Sequence, residues 1–74
     1  MNLTDFLRYA SEEMDKFEME LPSKGKEYCK MYLNSAGRDL MLSEMHEGWS
    51  KENRQRYQLL RERLQGLRDF PSSL

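Results

Sequence analysis

LTDFLRYASEEMDKFEMEL, residues 3–21, sets Leu3, Leu7, Ala10, Met14, Phe17 and Leu21 at spacings of four, three, four, three and four. That is a heptad seam, the pattern of a helix that buries one narrow face, and Phe6 widens it. Asn2 or Thr4 can cap the start through a side-chain oxygen, and Asp5 is well placed in the first turn. Pro22 follows, and a proline ring opposes a helical continuation through Leu21 and Pro22. The pattern predicts a helix over about residues 3–20, with Ser23-Lys24-Gly25 as a short connector.

The next segment is less regular. Cys29, Leu33, Ala36 and Leu40 again follow four, three, four. The continuation falls on Ser43 and Glu47, both polar, while Leu42, Met45 and Trp49 carry the apolar character. At about 100° per residue that later stripe points away from the earlier one. The change sits at Asn34-Ser35-Ala36-Gly37, and Asn and Gly are poor helix-interior residues. A central helix over about residues 26–47 is expected, buried on two faces in succession. A single internal Gly costs only ~1 kcal/mol against Ala, so a continuous helix is favoured over one broken near Ser35–Gly37.

Gly48 reads as the residue that closes this helix with positive φ, and Ser50 as the cap of the next. Tyr57, Leu60, Leu64 and Leu67 then give three, four, three, predicting a third helix over about residues 51–67. Asp69 onward is a tail, with the domain taken as residues 1–70 and residues 71–74 outside it. Period-two alternation and hairpin signals are lacking, so the fold class is all-α. The expected architecture is three main helices in an antiparallel hairpin or small bundle.

Length limits what this architecture can do alone. A chain of 74 residues is one domain at most, and a domain this size buries only about 60% of its unfolded surface. Small domains draw on disulfides, metals or association. Cys29 is the only cysteine and His46 the only histidine, too few for a disulfide or a structural zinc site. Association remains, and a homo-oligomer, preferably a dimer, is expected. No apolar run approaches the roughly 20 residues of a membrane span. The start of the chain, rich in acids, does not read as a signal peptide. A reducing cytoplasmic interior suits the free thiol.

Charge is sorted along the helices. Residues 1–22 hold six acids against two bases, residues 51–74 hold six bases against three acids, and the middle balances at four each. In antiparallel packing the opposite ends can flank one shared interface. Exposed ion pairs there contribute only ~0–1 kcal/mol each, so they select orientation more than they stabilise.

Catalytic and metal chemistry finds no constellation. On one helix Cys29 and His46 would stand about 25 Å apart at 1.5 Å per residue, against the ~3 Å of a nucleophile–base pair. A buried thiol and a surface imidazole beside Glu44 and Glu47 is the plain reading. Ser43 stands where a Glu-x-x-His motif would need its glutamate before His46. Glu12, Glu13, Asp15, Glu18 and Glu20 read as a solvated face. Gly25, Gly37, Gly48 and Gly66 are scattered and form no phosphate loop. The expectation is a non-enzymatic protein with no cofactor and no metal.

What remains is surface for a partner. Arg54, Arg61 and Arg68 are spaced seven and seven and share a face; Arg56 and Arg63 share another. Tyr28, Tyr32, Met19, Met31, Met41 and Trp49 lie partly off the seams. Met suits adaptable binding faces, and Trp, Tyr and Arg dominate interface energetics. The plain alternative is that the apolar residues fill the core and the arginines pair with the acidic first helix. We expect an interaction module, an adaptor or inhibitor of a larger protein, contacting it through Tyr28, Tyr32, Met41, Met45, Trp49 and Tyr57, with Arg54, Arg61 and Arg68 steering. The rival expectation is a nucleic-acid-binding regulator using the same arginines, although the whole chain is slightly acidic, with a pI of 5.8, where such domains run basic.

Overall fold

The computed structural model describes residues 2–69. Among them lie two α-helices and no strand: α1, Leu3–Ser43, and α2, Lys51–Arg68. The expectation of three separate helices is corrected to two, because α1 runs past Pro22 and is bent only at Gly25, whose φ of 83° and ψ of 160° are not helical. Pro22 does not stop the helix. It sits in the last turn before the bend, so the lost N–H bond and the crowding by its ring fall at the end of the first arm. Ser23 adds a donor there, its hydroxyl bonding the Glu20 carbonyl at 3.3 Å.

The bend folds α1 into two arms, residues 3–24 and 26–43. A straight helix of 41 residues would span about 60 Å, whereas the described molecule measures 41 × 20 × 16 Å. Facing pairs fix the antiparallel register at intervals of seven residues. The Phe6 and His46 rings lie 5.1 Å apart, Glu13 acts electrostatically on Asp39, and the Tyr32 hydroxyl donates to the Glu20 carboxylate.

Both helix starts are capped by side chains. Asn2 accepts from the Asp5 N–H at 2.9 Å, and the Asp5 carboxylate accepts from the Asn2 N–H, a reciprocal box. Ser50 accepts from the Asn53 N–H at 3.1 Å. The second arm is continuous through Ser35–Gly37, but it ends at Ser43, with Glu44 as its C-cap, rather than near residue 47. The expected switch of buried face is also corrected. Ser43 keeps the seam position and is fully buried, because its hydroxyl bonds the Leu40 carbonyl one turn back at 2.6 Å. Met45 and Trp49 lie beyond the helix, in residues 44–50. Gly48 does have positive φ, 78°, but it shapes this connection and does not close α1.

The core draws on all three rows. Leu3, Leu7, Ala10, Met14 and Phe17 come from the first arm, Cys29, Leu33, Ala36 and Leu40 from the second, and Leu60, Leu64 and Leu67 from α2. Leu21, Tyr32, Trp49 and Tyr57 pack at its edge. Arg63 of α2 reaches the first arm, with a guanidinium nitrogen 2.7 Å from both Asp15 and Glu18. So α2 runs back beside the acidic arm. The expected tail at residues 71–74 lies outside the described residues. No helix among the described residues is long and apolar enough to cross a membrane.

Candidate functional site: a basic groove between the second arm and α2

The two seams point the core rows of the second arm and α2 toward the first arm. The row one residue later on each then faces the other across an open cleft. On α1 this row is Lys30, Asn34, Gly37, Met41 and Glu44; on α2 it is Gln58, Arg61, Gln65 and Arg68. A depression of about 660 Å³ lies between these rows over Leu40 and Leu64, with Arg38 and Glu62 on its rims. A second, about 420 Å³, adjoins it through Glu44, Tyr57 and Gln58 and adds Trp49 and Arg54. A third, about 340 Å³, adjoins it at the other end through Asn34 and Arg68 and adds Lys26, Lys30 and Leu33. Together they form one groove along residues 26–44, about 27 Å at helical rise.

Its floor depends on Gly37. A Cβ built there would lie 2.6 Å from an Arg68 guanidinium nitrogen and 3.6 Å from a Leu64 methyl. The bare backbone thus lets Arg68 lie across the second arm. The Arg68 carbonyl is held in turn, accepting from Lys26 Nζ at 3.0 Å, a cation at a helix C-terminus where the dipole favours it.

Tyr57 anchors the other end. Its ring meets Trp49 edge-on at 5.3 Å, the Arg61 guanidinium stands 5.8 Å from its centroid, and its hydroxyl donates to Glu44. Burial first, and the Glu44 carboxylate second, push the Tyr57 phenol above its ordinary range.

Six bases line the groove (Lys26, Lys30, Arg38, Arg54, Arg61, Arg68) against three acids (Glu27, Glu44, Glu62). Among the described residues no carboxylate forms an ion pair with Arg38, Arg54, Arg61 or Arg68. The contrast with Arg63 is direct. Burial acts to lower its pKa, yet its bonds to Asp15 and Glu18 more than reverse this and raise it. Of the two arginine rows read from sequence, Arg63 alone meets the acidic arm.

The nine residues expected to contact a partner therefore divide. Met41, Tyr57, Arg61 and Arg68 line the main depression, and Trp49 and Arg54 join them at its end. Trp49 and Tyr57 are half-buried, so part of their area serves the core. Met45 is highly exposed, 79%, but lines none of these depressions. Tyr28 and Tyr32 lie elsewhere, near the bend. Tyr28 is exposed, with Lys24 Nζ 4.9 Å from its ring. Tyr32 is fixed to Glu20, a bond that raises its pKa to about 12 while Lys24 first and Tyr32 second lower that of Glu20. Arg38, Gln58, Gln65 and Lys30 were not singled out in sequence. For Lys30, Gln58 and Gln65 the signal is present, because each row sits one place after a seam at the same heptad spacing; Arg38 stands one place further on, at the rim.

Cys29 is fully buried in the core, and His46 packs on Phe6 beyond the end of α1. Among the described residues no group of three or more His, Cys, Asp or Glu is placed to hold a metal ion. The chain matches no protein-family model, curated protein or solved structure.

Proposed function

We propose that this chain is a non-enzymatic helical interaction module that regulates a larger protein, as adaptor or inhibitor, by docking it in the groove between the second arm and α2. One observation carries the reading. Exposed Met41, half-buried Tyr57 and three arginines without carboxylate partners (Arg38, Arg61, Arg68) share one continuous cleft. An apolar floor with cationic rims is the usual composition of a protein-docking surface, where buried aromatic and Arg side chains hold most of the energy. A reducing interior remains the natural setting for the buried, unpaired Cys29.

The test is affinity capture from the native host with the wild-type chain and with Met41→Asp, whose side chain is 65% exposed and so leaves the core intact. The expected outcome is a specific protein retained by the wild type and lost by the variant. A chain that retains no specific protein overturns the reading. The same arginines support the second reading, nucleic-acid binding. There affinity falls with salt at a slope of about −0.9 per neutralised phosphate on duplex DNA, and absence of binding at low salt removes it. Self-association is a separate proposal from size and seams, and sedimentation showing a folded monomer at high micromolar concentration contradicts it.

A further inference from the structure

We infer that the occupant of the groove is an acidic amphipathic α-helix of the partner, its apolar edge on Met41 and Tyr57 and its carboxylates facing Arg38, Arg61 and Arg68. The inference rests on the groove being the docking site and adds the chemistry of what docks. Shape supports a helix. The cleft is bounded by residues 26–44 over about 27 Å and, antiparallel to them, by residues 54–68 of α2 over about 21 Å, and a third helix is the element whose side-chain ridges fit between such rows. The first arm already fills the corresponding position on the opposite side of this helix pair. A helix in the groove would complete a four-helix bundle.

Charge supports acids on that helix. The groove bases exceed the acids by three, six against three. They stand on both rims: Lys30 and Arg38 on α1, Arg61 and Arg68 on α2. Arg61 and Arg68 are one heptad apart, so carboxylates repeating at heptad spacing meet both. Each such pair would be flanked by apolar contact and partly screened from water, where a charge-assisted bond is stronger than on an open surface.

Two other occupants fit less well. A nucleic-acid backbone carries a phosphate at every step and so brings some against Glu44 and Glu62, which line the same depression, whereas a helix can place its carboxylates opposite the arginines alone. The acidic arm of a second copy has few free acids to offer. On that arm Asp5 pairs with Arg8, Glu13 with Lys16, Glu20 with Lys24, and Asp15 and Glu18 with Arg63. Among the described residues Glu12 is the acid of that arm left without a basic partner.

Fluorescence anisotropy tests the inference with a labelled amphipathic peptide of about 18 residues, the helix length that spans the groove. It carries a Leu heptad seam flanked by Glu, and a control peptide has Lys at every Glu. The expected result is at least about tenfold tighter binding of the Glu peptide. The double variant Arg61→Glu/Arg68→Glu should lose that preference or reverse it. Arg56→Glu, an exposed α2 position outside the groove, should leave it unchanged. Circular dichroism checks that each variant is folded. Equal affinity for the two peptides, binding of neither, or indifference to Arg61→Glu/Arg68→Glu overturns the inference. So does a duplex DNA that displaces the Glu peptide at lower concentration, or a dimer in sedimentation that Arg61→Glu/Arg68→Glu dissolves. If the peptides fail while Met41→Asp still abolishes capture of a host protein, the docking site stands and only the acidic helix is wrong. If capture is also indifferent to Met41, both readings fall.

Discussion

Gly25 holds φ 83° and ψ 160°, a conformation open essentially to glycine alone. No atom crowds the position where its Cβ would be, so the demand comes from the backbone and not from packing. Gly25→Ala is expected to destabilise the fold by about 1–3 kcal/mol, a fall of about 4–8 °C in Tm per kcal/mol, read by thermal circular dichroism. Gly37 differs. Its backbone is helical, and the clash on adding a Cβ is with the far end of a flexible Arg68 side chain. Gly37→Ala should raise stability by up to about 1 kcal/mol through helix propensity while moving Arg68 out of the groove. Stability and groove binding should therefore change in opposite directions, as urea denaturation and peptide anisotropy would show. Tyr32 gives a pH prediction. Its bond to Glu20 raises its folded pKa to about 12 from an ordinary 10.0. The stabilising contribution is present below about pH 10 and is lost as pH rises through about 12. In ultraviolet titration Tyr32→Phe should remove a phenol that ionises near pH 12, leaving Tyr57 as a second phenol above the ordinary range.

At the scale of the element, the seams, the caps and the place of the corner were legible in the sequence; what was not is that the expected Ser23–Gly25 connector shrinks to the single non-helical residue Gly25. Heptad spacing identified the buried row of each helical stretch, since burial leaves its period in the residue types. Asn2 and Ser50 were readable because a short polar side chain before an apolar row has a specific hydrogen-bonding use. Pro22 misled because a proline in a helix's last turn looks the same in sequence as one just beyond it. The decisive residue was Gly25, three places later. Ser43 misled for a related reason: a hydroxyl can bond a carbonyl of its own helix, so a polar residue can occupy a core position. Arg63 joins α2 to the first arm through Asp15 and Glu18. Its partners are 61% and 53% exposed, so the two pairs are screened by solvent, and Arg63→Met should cost about 0.5–1 kcal/mol in total. Urea melts at low and at molar salt check this, because the wild type should lose most of the difference at high salt.

The whole molecule turns the charge order of the chain into an arrangement in space. The acidic arm is largely neutralised by its own neighbours and by Arg63, and among the described arginines without a carboxylate partner Arg38, Arg54, Arg61 and Arg68 gather on the groove across the bundle while Arg56 lies outside it. The candidate site was thus half legible. Met41, Trp49, Tyr57, Arg54, Arg61 and Arg68 were identified as residue types suited to contact, but their convergence depends on which helices are neighbours. That followed from the fold-back at Gly25, which no periodicity records. The same fold-back makes one core serve all three rows. Phe17 is fully buried at its centre, and Phe17→Ala should cost about 3–5 kcal/mol, enough to unfold a domain this small in a thermal melt. The corner is a single residue with helix on both sides, and that has a consequence for association. Straightened, α1 would be a continuous rod of about 60 Å whose two arms have lost each other but kept their complementary faces. A second straightened copy supplies those faces in the same register. The bend is therefore a hinge across which an arm can be exchanged between molecules, and relieving the glycine requirement favours the exchange. Gly25→Ala at high protein concentration should shift the chain toward an arm-exchanged dimer in sedimentation, at the expense of the folded-back monomer.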